Sequence, residues 1–320
     1  MRKKNKKKRI ESLTKELEAI SFTPITDTTN FYPFSNERGL EDPIESLAKI
    51  TPQSFSKGTL RIAILIGQSS FCSILPELSR HCDLIIFNDL NPFLIQHVRL
   101  LLSQLQIAIS PENFEERYFA LRGNLFNDFK EDEVTPDLNM RKKTLGIFHF
   151  LHNPRRFAIC QKAAQTMNFA FCHANLFSPA DQKIFFDTLG KRKCRVTFFN
   201  ATNLYEWDAK TPLAHIKNHE EWQPEHRLEK IFSSMNPCIT MGSLRLNSGE
   251  SCALKAMLFF SVASYFSANE INTQKYLKKQ IAAAPWDPKP PIVHDYKRRR
   301  PIPLPTGSHA PISLRIRNGQ

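Results

Sequence analysis

The sequence predicts an α/β protein: a mostly parallel sheet flanked by helices, with a helical N-terminal addition and disordered basic tails. Three observations carry this. Between residues 59 and 208, short apolar runs alternate with longer segments of helical periodicity. The runs are apolar at consecutive positions rather than every second one, as in strands covered on both faces. Ser, Asn or Asp followed by Pro recurs at the start of the helical segments, a cap-plus-proline signal.

The elements follow in order. Ile10, Leu13, Leu17 and Ile20 stand at helical spacing, so residues 1–20 read as a basic tail and a short amphipathic helix. Residues 21–58 form a turn-rich extension apart from "EDPIESLAKI", where Asp42 can cap a helix that Pro43 opens. "TLRIAILIG" (59–67) is a buried strand, and "SSFCSILPELSR" a helix that tolerates Pro76 near its start. "CDLIIFNDLNP" (82–92) is the second strand. In "FLIQHVRLLLSQL" the residues Leu94, Val98, Leu101, Leu102 and Leu105 share one helical face. "SPENFEERYFALRG" is a helix capped by Ser110. Residues 123–143 are polar and read as loop, and "TLGIFHFL" (144–151) reads as a strand. "NPRRFAICQKAAQTM" and "SPADQKIFFDTLG" are capped helices, the second ended by Gly190. "NFAFCHANLF" and "CRVTFFNATN" are strands. Further on, "CITMGSLRLN" is one strand or two, and "ESCALKAMLFFSVASYF" is a buried helix or a closing strand, which periodicity does not decide. The divisions expected are 1–20, 21–58, a main domain at 59–284 and a Pro/Arg-rich tail at 285–320.

The net charge of +13 is concentrated at the two ends. Residues 1–9 carry seven basic side chains and residues 297–320 carry six, with no acid in either, while 10–296 hold 31 of each sign. Two basic tails on a neutral body read as solvated arms able to bind nucleic acid or an anionic surface non-specifically. No apolar run is long enough to span a membrane, and polar residues rather than an apolar segment follow the basic N-terminus. Seven scattered cysteines without a CxxC read as reduced thiols, so a cytoplasmic protein is expected.

In an open parallel sheet, ligands sit outside the carboxyl ends of the strands. The residues there are polar or small: Gly67 to Ser70 after the first strand, Asn88 and Asp89 after the second, Asn175 after "NFAFCH", and Asn200 and Asn203 after "RVTFF". Asp89 stands 22 residues beyond Gly67, a spacing that suits an acid holding the ribose hydroxyls of a nucleotide-like cofactor. Gly67 is alone in its loop, which argues against NAD or FAD, whose pyrophosphate needs several glycines. A cofactor without pyrophosphate, such as S-adenosylmethionine, needs fewer. His215 and His219 are spaced i, i+4, but no third ligand is specified, so they read as a solvated helix face and no metal is expected.

Residues 59–208 resemble a class I S-adenosylmethionine-dependent methyltransferase, a Rossmann-like family. The resemblance runs through "RIAILIGQSS", "LIIFNDLNP", "FAFCHANLF" and "RVTFFNATNLYEW". It implies that Gly67, with Ser69 in the same loop, wraps the cofactor, that Asp89 holds its ribose and that Asn175 meets the adenine. Asn200, Asn203 and Tyr205 would face the methyl group and its acceptor, with Tyr205 or Trp207 closing over it. The first loop departs from the family in having one glycine, and "NATNLYEW" departs from the Asn-Pro-Pro-aromatic form that marks amino-nitrogen methylation. The sequence therefore carries two readings: a methyltransferase of unassigned acceptor, favoured by Asp89 and Asn200, and an inactive binding protein of the same fold, favoured by the reduced glycine loop, acting on nucleic acid or a protein through its tails.

Overall fold

The computed structural model describes residues 2–20, 40–66, 71–89, 92–122, 145–176, 178–202, 235, 238–248, 251–262, 264–265 and 267–268. Met1–Ala283 form one compact unit, and residues 284–320 lie outside the described residues. The described elements are α1 (Arg2–Ala19), α2 (Glu41–Lys49), β1 (Leu60–Ile66), α3 (Phe71–His81), β2 (Leu84–Asn88), α4 (Pro92–Ile107), α5 (Pro111–Arg122), a single 3-10 turn (Gly146–Phe148), α6 (Pro154–Thr166), β3 (Phe169–Cys172), α7 (Pro179–Lys191), β4 (Cys194–Asn200), β5 (Ile239–Ser248) and β6 (Ser251–Phe259).

The strands form one six-stranded sheet in the order β3-β2-β1-β4-β5-β6. All neighbours are parallel except β5 and β6, which make an antiparallel hairpin. This is the expected Rossmann-like α/β arrangement. The chain steps outward from β1 to β3, returns to the far side of β1 for β4, and continues outward. A right-handed crossover puts the connecting helices on one face for the outward steps and on the other for the return. Accordingly α3, α4, α5 and α6 pack with Ala63, Leu65, Ile85 and Phe87 on one face. On the other face α1 and α7 pack with Ile62, Ile64, Leu84 and Ile86. Burial on both faces is the reason these strands are continuously apolar.

The capping signals work where expected. Ser110 Oγ accepts from Asn113 N (3.1 Å), Asn153 Oδ1 from Arg156 N (2.8 Å), and Ser178 Oγ from Asp181 N (3.5 Å). The expected Asp42 cap does not occur: α2 begins at Glu41, with Leu40 at the cap position, so Asp42 lies inside the first turn beside the positive end of the helix dipole. Gly190 does not end α7 either; the helix runs to Lys191, and Lys193 takes the left-handed conformation (φ 51°).

The expected strand at 144–151 is a 3-10 turn instead. Gly146 stands at φ 47°, which breaks an extended run, and the backbone bonds locally through His149 N to Gly146 O (3.1 Å). The apolar residues Leu145, Phe150 and Leu151 are buried against helices, so their hydrophobicity is satisfied without a sheet. The two segments that periodicity left open are resolved as one strand, β5, and a closing strand, β6.

The helix expected near residue 10 starts at Arg2 and therefore contains the basic segment. Its apolar residues Ile10, Leu13 and Leu17 are buried on the sheet. Lys6 Nζ lies 2.9 Å from Asp83 Oδ1, and Asp83 also accepts from Arg61 N (3.1 Å) and Arg61 Nη2 (2.8 Å). Burial pushes the Asp83 pKa up, but the bonds from Arg61 and Lys6 outweigh it and hold the carboxyl below its usual range. A carboxylate whose folded pKa is depressed stabilises the fold above its unfolded pKa of about 3.9 and loses that contribution as pH falls through the folded value. Asp83→Ala is expected to lower stability by about 1.5–3 kcal/mol at neutral pH. In urea unfolding, the gap between variant and wild type should narrow in acid; a gap independent of pH would mean that the charge is not its source.

Candidate functional site

The β1/β4 boundary is the point where the strand order reverses, the position beyond which an open α/β sheet accommodates ligands. The carboxyl ends align across it. Cys172 pairs with Asn88 and Asn88 with Ile66; on the next residue row Leu65 pairs with Asn200 and Asn200 with Met241. A bulge at Thr197 sets this register: its hydroxyl donates to Ile62 O (3.2 Å) and His81 O (2.9 Å), and the extra residue puts Val196 and Phe198, two positions apart, on opposite faces.

Asp89 is half-buried in the first position beyond β2. Its N–H donates to Cys172 O (3.2 Å), and its carbonyl accepts from His173 Nδ1 (3.0 Å). A carbonyl only accepts, so the proton is on Nδ1. Desolvation of the ring lowers the His173 pKa, against the raising effect of that bond. Asn88 is buried and its amide pairs with both backbone groups of one residue: Nδ2 donates to Ala174 O (3.0 Å) and Oδ1 accepts from Ala174 N (2.9 Å). The ends of β2 and β3 are thus joined by the Asn88 amide, His173 and the Asp89 N–H. Asn175 follows in a loop tied to the start of α7: its N–H donates to Asp181 Oδ2 (3.0 Å) and its carbonyl accepts from Ser178 N (2.9 Å).

Asn200 closes β4 and is buried. Its Oδ1 accepts from Thr202 N (3.0 Å) and Thr202 Oγ1 (2.9 Å), an Asx-type turn that directs the chain out of the sheet. Ala201 between them is held twice, its N–H donating to Met241 O (2.8 Å) and its carbonyl accepting from Tyr265 Oη (3.0 Å). The Tyr265 ring lies against Gly242, where a Cβ would stand 2.1 Å from Cε2.

The structure places Asp89, Asn175 and Asn200 at or beyond the carboxyl ends of β2, β3 and β4. Gly67, Ser69, Asn203, Tyr205 and Trp207 lie outside the described residues, as do His215 and His219. No group of three or more metal-ligating side chains occurs among the described residues.

No protein-family model matches the chain, and no curated protein matches it. The chain is similar to a solved structure described as the rRNA methyltransferase AviRa from Streptomyces viridochromogenes, with 14% identity, a TM-score of 0.32, and 76% of this chain and 92% of that one covered. A likeness at that level assigns neither cofactor nor acceptor.

The sequence places Asn88 at the end of the second strand without a role, and Tyr265 and Gly242 are not found from it. Asn88 has a legible signal, an amide in the last position of an apolar strand with an acid after it. Tyr265 and Gly242 have none, because the contacts of Tyr265 with Gly242 and with Ala201 O are made only when β5 and β6 close the sheet. Within the described residues no helix is long and apolar enough to cross a membrane.

Proposed function

We propose that the carboxyl edge of the sheet binds S-adenosylmethionine and that the protein is a methyltransferase. The observation that carries this reading is Asp89, half-buried in the first position beyond β2 and pinned through its backbone to the end of β3. A carboxylate there suits the paired hydroxyls of a ribose. The residues that follow the strands, Asp89, Asn175 and Thr202, carry side-chain oxygens rather than the cations or multiple glycines a pyrophosphate would require. That donor set fits a cofactor with a diol, an adenine and a sulfonium.

In this reading Asp89 holds the ribose and Asn175 meets the adenine, with Gly67 and Ser69 contributing from the loop after β1. Asn200 is a positioning residue: its carboxamide oxygen is engaged by Thr202, and the turn it shapes delivers Asn203 and Tyr205 to the acceptor side. The bound cofactor supplies an electrophilic methyl group on sulfur. The protein's own contribution is to align that group with the acceptor and keep both oriented.

Calorimetric titration of the full chain with S-adenosylmethionine tests the reading. Asp89→Ala is expected to lose about 1.5–3 kcal/mol of charge-assisted hydrogen bonding, roughly ten- to a hundredfold in Kd. Without cofactor its melting temperature should stay near that of wild type. Equal Kd values would remove Asp89 from the site. Absence of binding by wild type would overturn the reading in favour of a protein that uses this fold without the cofactor.

A further inference from the structure

The amino edge of the sheet, opposite the candidate site, gathers basic side chains from elements far apart in sequence. The first turns of α1 lie there. Lys6 pairs with Asp83, while Arg9 donates to Gly58 O (2.5 Å) and Arg192 O (2.6 Å). These bonds set α1 beside Lys57 in the turn into β1, and beside Lys191 and Lys193, which flank Arg192 ahead of β4. Arg61 donates to Arg80 O (2.9 Å) and so adds the end of α3. Lys7, Lys8, Lys57, Arg80, Lys191 and Lys193 are all exposed. The acids interleaved with them are engaged: Asp83 by Lys6 and Arg61, Glu16 by Arg192 (2.6 Å), and Glu11 by Lys7 (3.9 Å). Because positive and negative residues balance over 10–296, the net charge of the body conceals this local excess.

We infer that this amino-edge face binds the phosphate backbone of a nucleic acid. It is a composite surface rather than a loose arm: the bonds from Arg9, Arg61 and Lys6 hold one helix, two turns and the end of another helix in fixed relation. Exposed lysines on such a scaffold meet successive phosphates with little ordering cost. A membrane surface fits less well. An interfacial helix inserts its apolar face into lipid, whereas Ile10, Leu13 and Leu17 of α1 are already buried in the core. The inference is independent of the cofactor, since it concerns the other end of the sheet and stands whether or not S-adenosylmethionine binds.

The test is fluorescence anisotropy of the full chain with a labelled single-stranded RNA and a labelled DNA duplex over a series of salt concentrations. The variant Lys8→Gln, Lys57→Gln, Lys191→Gln removes three exposed cations, so its melting temperature should hold. Each lost phosphate contact flattens the dependence of log K on log salt by about 0.7 for a single strand, so the slope should fall by about 2. Affinity at low salt should drop by about tenfold or more. A second variant, Arg298→Gln, Arg299→Gln, Arg300→Gln, separates the face from the C-terminal residues. Loss in the first variant supports the inference. It is overturned if the first variant binds like wild type while the second loses binding, or if wild type binds phosphatidylserine vesicles and neither nucleic acid.

Discussion

Tyr265→Ala is expected to destabilise the protein by about 3–5 kcal/mol, the usual cost of truncating a fully buried aromatic side chain. Tyr265 is fully buried, packs against Gly242 of β5 and Phe259 of β6, and donates to the carbonyl that follows Asn200. The loss therefore combines a cavity with an unmade hydrogen bond at the end of β4. Tyr265→Phe isolates the second part and should cost about 0.5–1.5 kcal/mol. Gly242→Ala approaches the same contact from the other side. A Cβ 2.1 Å from a buried ring cannot be absorbed by a flexible chain end, so overpacking of about 1–3 kcal/mol is expected. Guanidinium unfolding of the three variants measures these differences. If Tyr265→Ala costs no more than Tyr265→Phe, the ring does not hold β4 to β5. Because Ala201 carries the chain from β4 toward Asn203, the same variants should impair any activity of the carboxyl edge at temperatures where they remain folded.

Arg156→Ala is expected to cost a similar amount, about 3–5 kcal/mol, because it strands a buried partner. Arg156 reaches from the first turn of α6 to Glu77 of α3 through Nη1 (3.1 Å) and Nη2 (3.3 Å), to Ser73 O (2.5 Å) and to Phe148 O (3.2 Å). The paired side chains are only 14% and 9% exposed, so water cannot replace the lost contacts on Glu77. The charge itself is not what the fold requires. The double variant Arg156→Met, Glu77→Leu removes both charges at similar volume and should regain much of the loss. Denaturant midpoints of the single and double variants decide the matter: equal destabilisation would show that the backbone carbonyls, rather than the buried carboxylate, set the cost.

Both predictions concern contacts that join distant parts of the chain, and that is where sequence reading stopped. The alternation of apolar runs with capped helices was sufficient for the fold class, because strands covered on both faces have to be apolar throughout. Ser110, Asn153 and Ser178 were legible as caps because a cap bonds its own first turn. Asp42 was misread because an acid is equally favourable one residue further in, where the dipole rather than a cap attracts it. The run at 144–151 was misread because burial against helices and burial in a sheet demand the same residues, and only the left-handed Gly146 distinguishes them.

The candidate site divides along the same line. By itself the sequence determined that strand ends carrying Asp89, Asn175 and Asn200 should meet at one edge, since parallel strands all finish on the same side and chain order dictates which residue finishes each. What those residues are bonded to depends on which distant segments pack beside them. Asn88 pairs with the backbone N–H and carbonyl of Ala174, 86 residues away, and Tyr265 holds Ala201 from 64 residues away. The tertiary structure also decided that the basic N-terminal segment belongs to a helix laid on the sheet, with Lys6 and Arg9 bonded to the body. Composition records how many charges a chain has. Their neighbours depend on which faces pack, and packing is set by the burial of Ile10, Leu13 and Leu17, whose partners on the sheet lie 40 or more residues further along the chain.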